Sequence, residues 1–134
     1  MAEKINIPEA YKLVNKEDMT AEEVLEVRKS TGWGNGGPEE DETAWLENLE
    51  TSFVAVGARS EVTGELVGMG FIVGNKRHGV LCDFNVRPEH QGKGIGTAIL
   101  EERLRIADEI GIPYLYTSLA ETNPLRHKYE ELGF

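Results

Sequence analysis

The sequence predicts an α/β fold, a mixed central sheet flanked by helices, in one domain spanning residues 1–134. Three observations predict it. The 134 residues are 40% hydrophobic and 28% charged, a size and balance suited to a single hydrophobic core. Short apolar runs at 52–59, 66–74 and 80–86 are bounded by turn residues, as strands are. From Ile95 the apolar period becomes helical and a further strand-like run follows at 114–120. A strand–helix–strand unit of this kind makes a right-handed parallel crossover, and hairpin strands ahead of it leave the sheet mixed.

Residues 5–18 read as an extended opening, with Tyr11, Leu13 and Ile7 or Val14 as apolar anchors. Thr20 and Glu23 then form a capping box, in which each side chain satisfies a free backbone N–H of the other. Val24, Leu25 and Val27 give that helix a narrow apolar side. Gly32, Gly34, Gly36 and Gly37 break it into a loop holding Trp33, and Pro38 can open the next helix. Trp33 either plugs the edge of the core or lines a substrate pocket. Trp45, Leu46 and Leu49 form the stripe of the second helix.

SFVAVGAR and LVGMGFIVG read as a hairpin joined by a turn, and NKRHG bends the chain into VLCDFNV. Alternation along that strand places Leu81, Asp83 and Asn85 on one face and Cys82, Phe84 and Val86 on the other. Ile95, Ala98, Ile99, Leu104, Ala107 and Ile110 form the apolar stripe of a long helix, which Gly111 and Pro113 end. YLYTSLA is a strand. Asn123 can cap a final helix, with Pro124 at its first position and Leu125, Tyr129 and Leu132 along it.

Charge and composition exclude several classes. Fourteen Lys and Arg face 24 Asp and Glu, a formal net charge of -10, which repels a phosphate backbone and argues against nucleic acid. No run approaches the roughly 20 apolar residues that cross a bilayer. The N-terminus lacks the apolar core of a signal peptide, so a cytoplasmic protein is expected. Cys82 stands alone, which excludes an internal disulfide. No trio of His, Asp or Glu has ligand spacing, so no metal is expected. The acidic stretch 38–50 reads either as a solvated helix or as a rim that draws in a cationic amine.

The stretch VRPEHQGKGIGT, residues 86–97, carries glycines at 92, 94 and 96 between a strand and a helix. Such a turn leaves N–H groups unpaired at the positive end of the helix, and bare backbone lets an anion approach them. Lys93, Gly94, Ile95, Gly96 and Thr97 are the donors for a phosphate or pyrophosphate. The spacing matches neither the GxxxxGK[ST] nor the GxGxxG nucleotide loop.

VRPEHQGKGIGTAIL resembles the central motif of the GNAT superfamily of N-acetyltransferases, V-x-P-x-x-[QR]-x-x-G-x-[GA], carried here by Val86, Pro88, Gln91, Gly94 and Gly96. NPLRHKYEELGF, residues 123–134, resembles the family's final helix, and the two helices and strand hairpin upstream also match. The resemblance implies acetyl-CoA as cosubstrate and an amine, on a small molecule or a protein, as acceptor. It implies that Gln91, Gly92, Lys93, Gly94, Ile95, Gly96 and Thr97 hold the pyrophosphate. The pantetheine arm would lie as an extra strand along Phe84 and Val86, splayed from 114–120, with Asn123 and Arg126 also on the coenzyme. The Val86 N–H would meet the thioester carbonyl as an oxyanion donor.

Acyl transfer to an amine requires a proton acceptor for the amine and favours a donor for the leaving thiolate. Tyr129 matches the family's frequent general acid; the alternative is that it packs the last helix against the sheet. Asp83 is the candidate base and acceptor contact, alternatively a residue that fixes the loop at 32–37. Cys82, on the face expected opposite Asp83, reads as a small buried hydrophobe. His78 and His90 read as surface residues.

The chain ends at Phe134, where the family continues into further strands. The fold expected is therefore a C-terminally shortened GNAT-like one with an open sheet edge near 114–120, which predicts a homodimer. The alternative to an enzyme is a relative that binds CoA and transfers nothing.

Overall fold

A computed structural model describes residues 5–32, 40–117 and 126–133, with Arg126, Lys128 and Tyr129 described by backbone alone. The opening segment becomes a strand, β1 (Tyr11–Asn15). The first helix, α1 (Ala21–Ser30), starts at the capping box read from the sequence. Thr20 Oγ1 accepts from the Glu23 N–H at 3.2 Å, and the Glu23 carboxylate accepts from the Thr20 N–H at 3.1 Å. Arg59 closes on the same carboxylate at 2.6 Å, and its hydrogen bond holds the Glu23 carboxyl below its ordinary value.

The second helix, α2 (Glu42–Thr51), is capped by Asp41, whose side chain accepts from the Ala44 N–H at 2.8 Å. Pro38 lies outside the described residues, and the helix starts later, at Glu42. Trp45 and Leu49 are buried, whereas Leu46 is 48% exposed. Four residues bring Leu49 back over Trp45, but the single step to Leu46 turns it off that face.

Strands β2 (Val54–Ser60), β3 (Leu66–Gly74) and β4 (His78–Val86) run antiparallel in sequence. Helix α3 (Ile95–Ile110) crosses back to β5 (Tyr114–Tyr116), which lies parallel to β4. The sheet order is β1-β2-β3-β4-β5, and a short helix, α4 (Arg126–Glu131), follows. The mixed sheet flanked by helices is the fold class expected. Both faces are covered, which is why β2 and β3 read as unbroken apolar runs. Val56, Val67, Ile72 and Leu81 pack with Ile95, Ile99 and Ala107 of α3. Met69 and Phe71 pack with Val24, Val27, Trp45 and Leu49 of α1 and α2.

Two expectations need correction. On α3, Ile110 is exposed and Leu104 half-buried, while Leu100 and Arg103 are fully buried. Arg103 enters the core because it finds partners there. Its Nη1 donates to the Phe71 carbonyl at 3.2 Å, and its guanidinium carbon lies 5.5 Å from the centre of the Phe84 ring. Gly70 makes the space, since a Cβ there would stand 2.8 Å from the guanidinium.

The second correction concerns the faces of β4. Register passes from Phe71↔Cys82 to Met69↔Asn85, so β4 holds one residue more than β3. That is a β-bulge, and Asp83 carries it at φ +51, a left-handed conformation that aspartate tolerates better than most residues. Alternation breaks there. Leu81, Phe84 and Val86 pack on the α3 side, whereas Cys82 packs beneath α1 and α2. Asp83 and Asn85 bond to side chains of that same layer, so Asp83 and Cys82 do not lie on opposite faces.

Candidate active site

The site grows out of the end of β4. Strand β5 pairs only with its start, through His78↔Tyr114, Gly79↔Leu115 and Val80↔Tyr116. Beyond Val80 no described strand pairs along that edge. The N–H of Arg87 is spent on the Val67 carbonyl of β3 at 2.8 Å. Successive backbone groups of a strand point to opposite edges, so the Val86 N–H is directed to the open one. The Val86 carbonyl accepts from Gln91 Nε2 at 2.9 Å, which folds the chain back on itself after the strand.

The turn beyond is built from left-handed backbone. Gly92 has φ +77, and Gly94, the N-cap of α3, has φ +89. A Cβ at Gly92 would meet nothing within 4 Å, and one at Gly94 only Pro8 at 3.9 Å, so both backbones can be approached closely. The first helical bond runs from the Ala98 N–H to the Gly94 carbonyl, leaving the N–H groups of Ile95, Gly96 and Thr97 without an intrahelical partner. The first turn of α3 carries no acid. Such a turn is a place where an anion can approach backbone N–H groups.

On the α1–α2 side, Asp83 Oδ2 accepts from Asn48 Nδ2 at 3.1 Å. The described partner of Asp83 is thus on α2, while most of the loop at 32–37 lies outside the described residues. Asn85 is buried, donates to Thr31 Oγ1 at 3.0 Å and accepts from Arg28 Nη1 at 3.5 Å. Arg28 in turn pairs with Glu40 at 3.2 Å, and Glu40 also accepts from Trp45 Nε1 at 3.1 Å. Glu40 is therefore committed to its neighbours, while Glu42, Glu47 and Glu50 stay exposed on α2.

The structure brings Asp83, Phe84, Val86, Gln91 and the glycine turn into one continuous stretch. Trp33 and Asn123 lie outside the described residues, as do the side chains of Arg126 and Tyr129. Asn48 and Asn85 were not among the expected site residues; an asparagine inside an apolar strand is the one signal that could have marked Asn85. His90, expected at the surface, is half-buried, with Nδ1 2.7 Å from the Tyr11 hydroxyl. His78 is half-buried between the Tyr114 and Tyr116 rings. Glu65, Glu89 and His90 come within 4.8 Å of one another, a grouping that spacing does not reveal because Glu65 sits between β2 and β3.

Burial, then the neighbouring Asp83 carboxylate, pushes the Cys82 thiol from 9.0 up to about 12. At pH 8 that difference makes its thiolate roughly a thousandfold scarcer than in the unfolded chain, so alkylation in the folded protein is expected to be slower by about that factor. Because the folded pKa is the higher one, Cys82 contributes stability fully present below about pH 9 and lost as pH rises towards 12. Denaturation midpoints at pH 8 and 10.5, compared with Cys82→Ala, check the sign.

A strand edge that no described strand pairs beyond Val80, running into N–H groups without intrahelical partners at a helix N-terminus, is a surface that an extended, anion-bearing ligand can occupy. The chain belongs to the acetyltransferase (GNAT) family, whose model matches residues 17–134. It is 31% identical over 102 residues to a streptothricin acetyltransferase of Streptomyces lavendulae, a match covering 75% of this chain and 53% of that one. The chain thus spans about half the length of that curated relative. A GNAT-family acetyltransferase of Streptococcus pneumoniae shares the fold, with a TM-score of 0.74 at 23% identity over 92% of this chain and 86% of that one. The PaiA N-acetyltransferase of Thermoplasma acidophilum, solved in complex with coenzyme A, gives 0.69 at 18% identity over 91% and 87%.

Proposed function

We propose that residues 1–134 form one acetyl-CoA-dependent N-acetyltransferase domain acting on a cationic amine. The observation that carries the reading is the edge of β4, which no described strand pairs beyond Val80 and which leads into the glycine turn. The cradle fits a pyrophosphate: backbone donors from Lys93 to Thr97 are free of Cβ crowding at Gly94, and Lys93 adds a positive charge.

Acetyl-CoA supplies the activated acetyl thioester. Phe84 and Val86 line the edge for its pantetheine arm, and the Val86 N–H stabilises negative charge on the carbonyl oxygen without reorganising. Asp83, held by Asn48 at 3.1 Å, accepts the amine proton directly or through a water. Tyr129 donates to the departing thiolate. Asn123 and Arg126 extend the coenzyme contacts, and Trp33 offers an aromatic face to the acceptor.

The acceptor class follows from charge. The chain carries a net charge of -10, and Glu42, Glu47 and Glu50 are exposed on α2, the helix that supplies Asn48 to Asp83. Attraction between exposed charges is screened over about 8 Å at physiological ionic strength. Incubation with acetyl-CoA and a panel of amines, read by thiol release, is expected to favour primary amines and polyamines, with their KM rising as salt is added. CoA binding with no thiol release from any amine would instead support a binding protein. A preference for anionic acceptors would reduce the acidic face to a solvated one.

A further inference from the structure

The segment before β1 reaches the glycine turn from the far side of the sheet. Tyr11, first residue of β1, places its hydroxyl 2.7 Å from His90 Nδ1 and 3.4 Å from Lys93 Nζ, contacts spanning 79 and 82 positions of sequence. The Lys93 ammonium also lies 6.0 Å from the centre of the Tyr11 ring, within cation–π range. An ammonium can only donate. It therefore donates to the Tyr11 oxygen, and the same hydroxyl is hydrogen-bonded to His90 Nδ1. The contacts form one chain, Lys93 to Tyr11 to His90.

The backbone is bent to present this group. The Tyr11 N–H donates to the Pro8 carbonyl at 3.2 Å, and Ala10 between them sits at φ +75. An alanine in left-handed conformation is strained, because its Cβ crowds the following carbonyl oxygen. The strained turn sets Pro8 3.9 Å from the Cβ position of Gly94 and Tyr11 against His90. The linker is also tied at its start, where Arg87 Nε donates to the Leu66 carbonyl at 2.8 Å and pairs with Glu65 at 3.3 Å.

We propose that Tyr11 is a positioning residue for the coenzyme's pyrophosphate, its hydroxyl fixed by His90 and holding the Lys93 ammonium ready beside the turn. This rests on the reading that CoA occupies residues 91–97. A free lysine side chain loses rotamer entropy when a ligand immobilises it; one already parked on a neighbouring hydroxyl loses less, and binding is correspondingly tighter.

Calorimetry with CoA tests the proposal on the full chain, using Tyr11→Phe, Lys93→Met, the double variant, and the pair Gly94→Asp and Gly94→Asn. Phenylalanine keeps the ring and its packing, and Lys93 is exposed, so neither change threatens folding. Tyr11→Phe is expected to weaken CoA binding about three- to tenfold, and to have little further effect once Lys93 is methionine. Equal losses from Tyr11→Phe in both backgrounds would overturn the proposal, because they would report a structural role alone. So would parent-like affinity in Tyr11→Phe while Gly94→Asp still loses CoA relative to Gly94→Asn, an outcome that leaves the binding site standing. Equal affinities in the two Gly94 variants would overturn both.

Discussion

Gly94→Asp is expected to weaken CoA binding at least tenfold relative to Gly94→Asn, a loss of about 1.4 kcal/mol or more, with a melting temperature equal to or above that of the asparagine variant. Gly94 sits at φ +89, so any side chain is strained there, and a lone substitution would confound strain with repulsion. Asparagine and aspartate are nearly isosteric and share a tolerance of left-handed backbone. They differ by one negative charge, placed where α3 begins. For the helix that charge is favourable, because an aspartate at the N-terminus complements the dipole. For a pyrophosphate in the cradle it is repulsive. Stability and affinity are therefore pushed in opposite directions, which no general damage to the fold produces. Calorimetric titration with CoA, beside thermal melts of the two variants, reads both.

Tyr129→Phe is expected to lower turnover at least tenfold, about 1.4 kcal/mol in the barrier, while CoA affinity changes less than twofold. Only a hydroxyl is removed, the group proposed to protonate the leaving thiolate. Losing an interaction made only as the thiolate departs lowers kcat and kcat/KM together. Asp83→Asn is the companion measurement. An asparagine oxygen can still accept from Asn48, so the 3.1 Å tie to α2 is preserved while the proposed base is lost. The two variants should then lose rate on opposite sides of the reaction. Unchanged turnover in Tyr129→Phe would return that residue to packing.

The local features were legible in the amino-acid sequence because each depends on residues a few positions apart. The capping box at Thr20 and Glu23, the stop of α3 at Gly111, the β2–β3 hairpin and the glycine turn all follow from short-range backbone chemistry. So did the family, because its central motif lies within one strand–turn–helix unit. What depends on two segments meeting was decided only by the tertiary structure. The bulge at Asp83 is a property of register between β3 and β4, and it breaks the alternation along β4, setting Cys82 with Asp83 and Leu81 with Phe84. Arg103 counts as polar in any periodic pattern, yet it is buried because Gly70 on another element leaves room and Phe71 offers a carbonyl. Asn48 beneath Asp83 and Tyr11 against His90 join residues 35 and 79 positions apart. No periodicity carries such pairings, since the free energy that selects them arises only when the sheet and its covering helices close on one another.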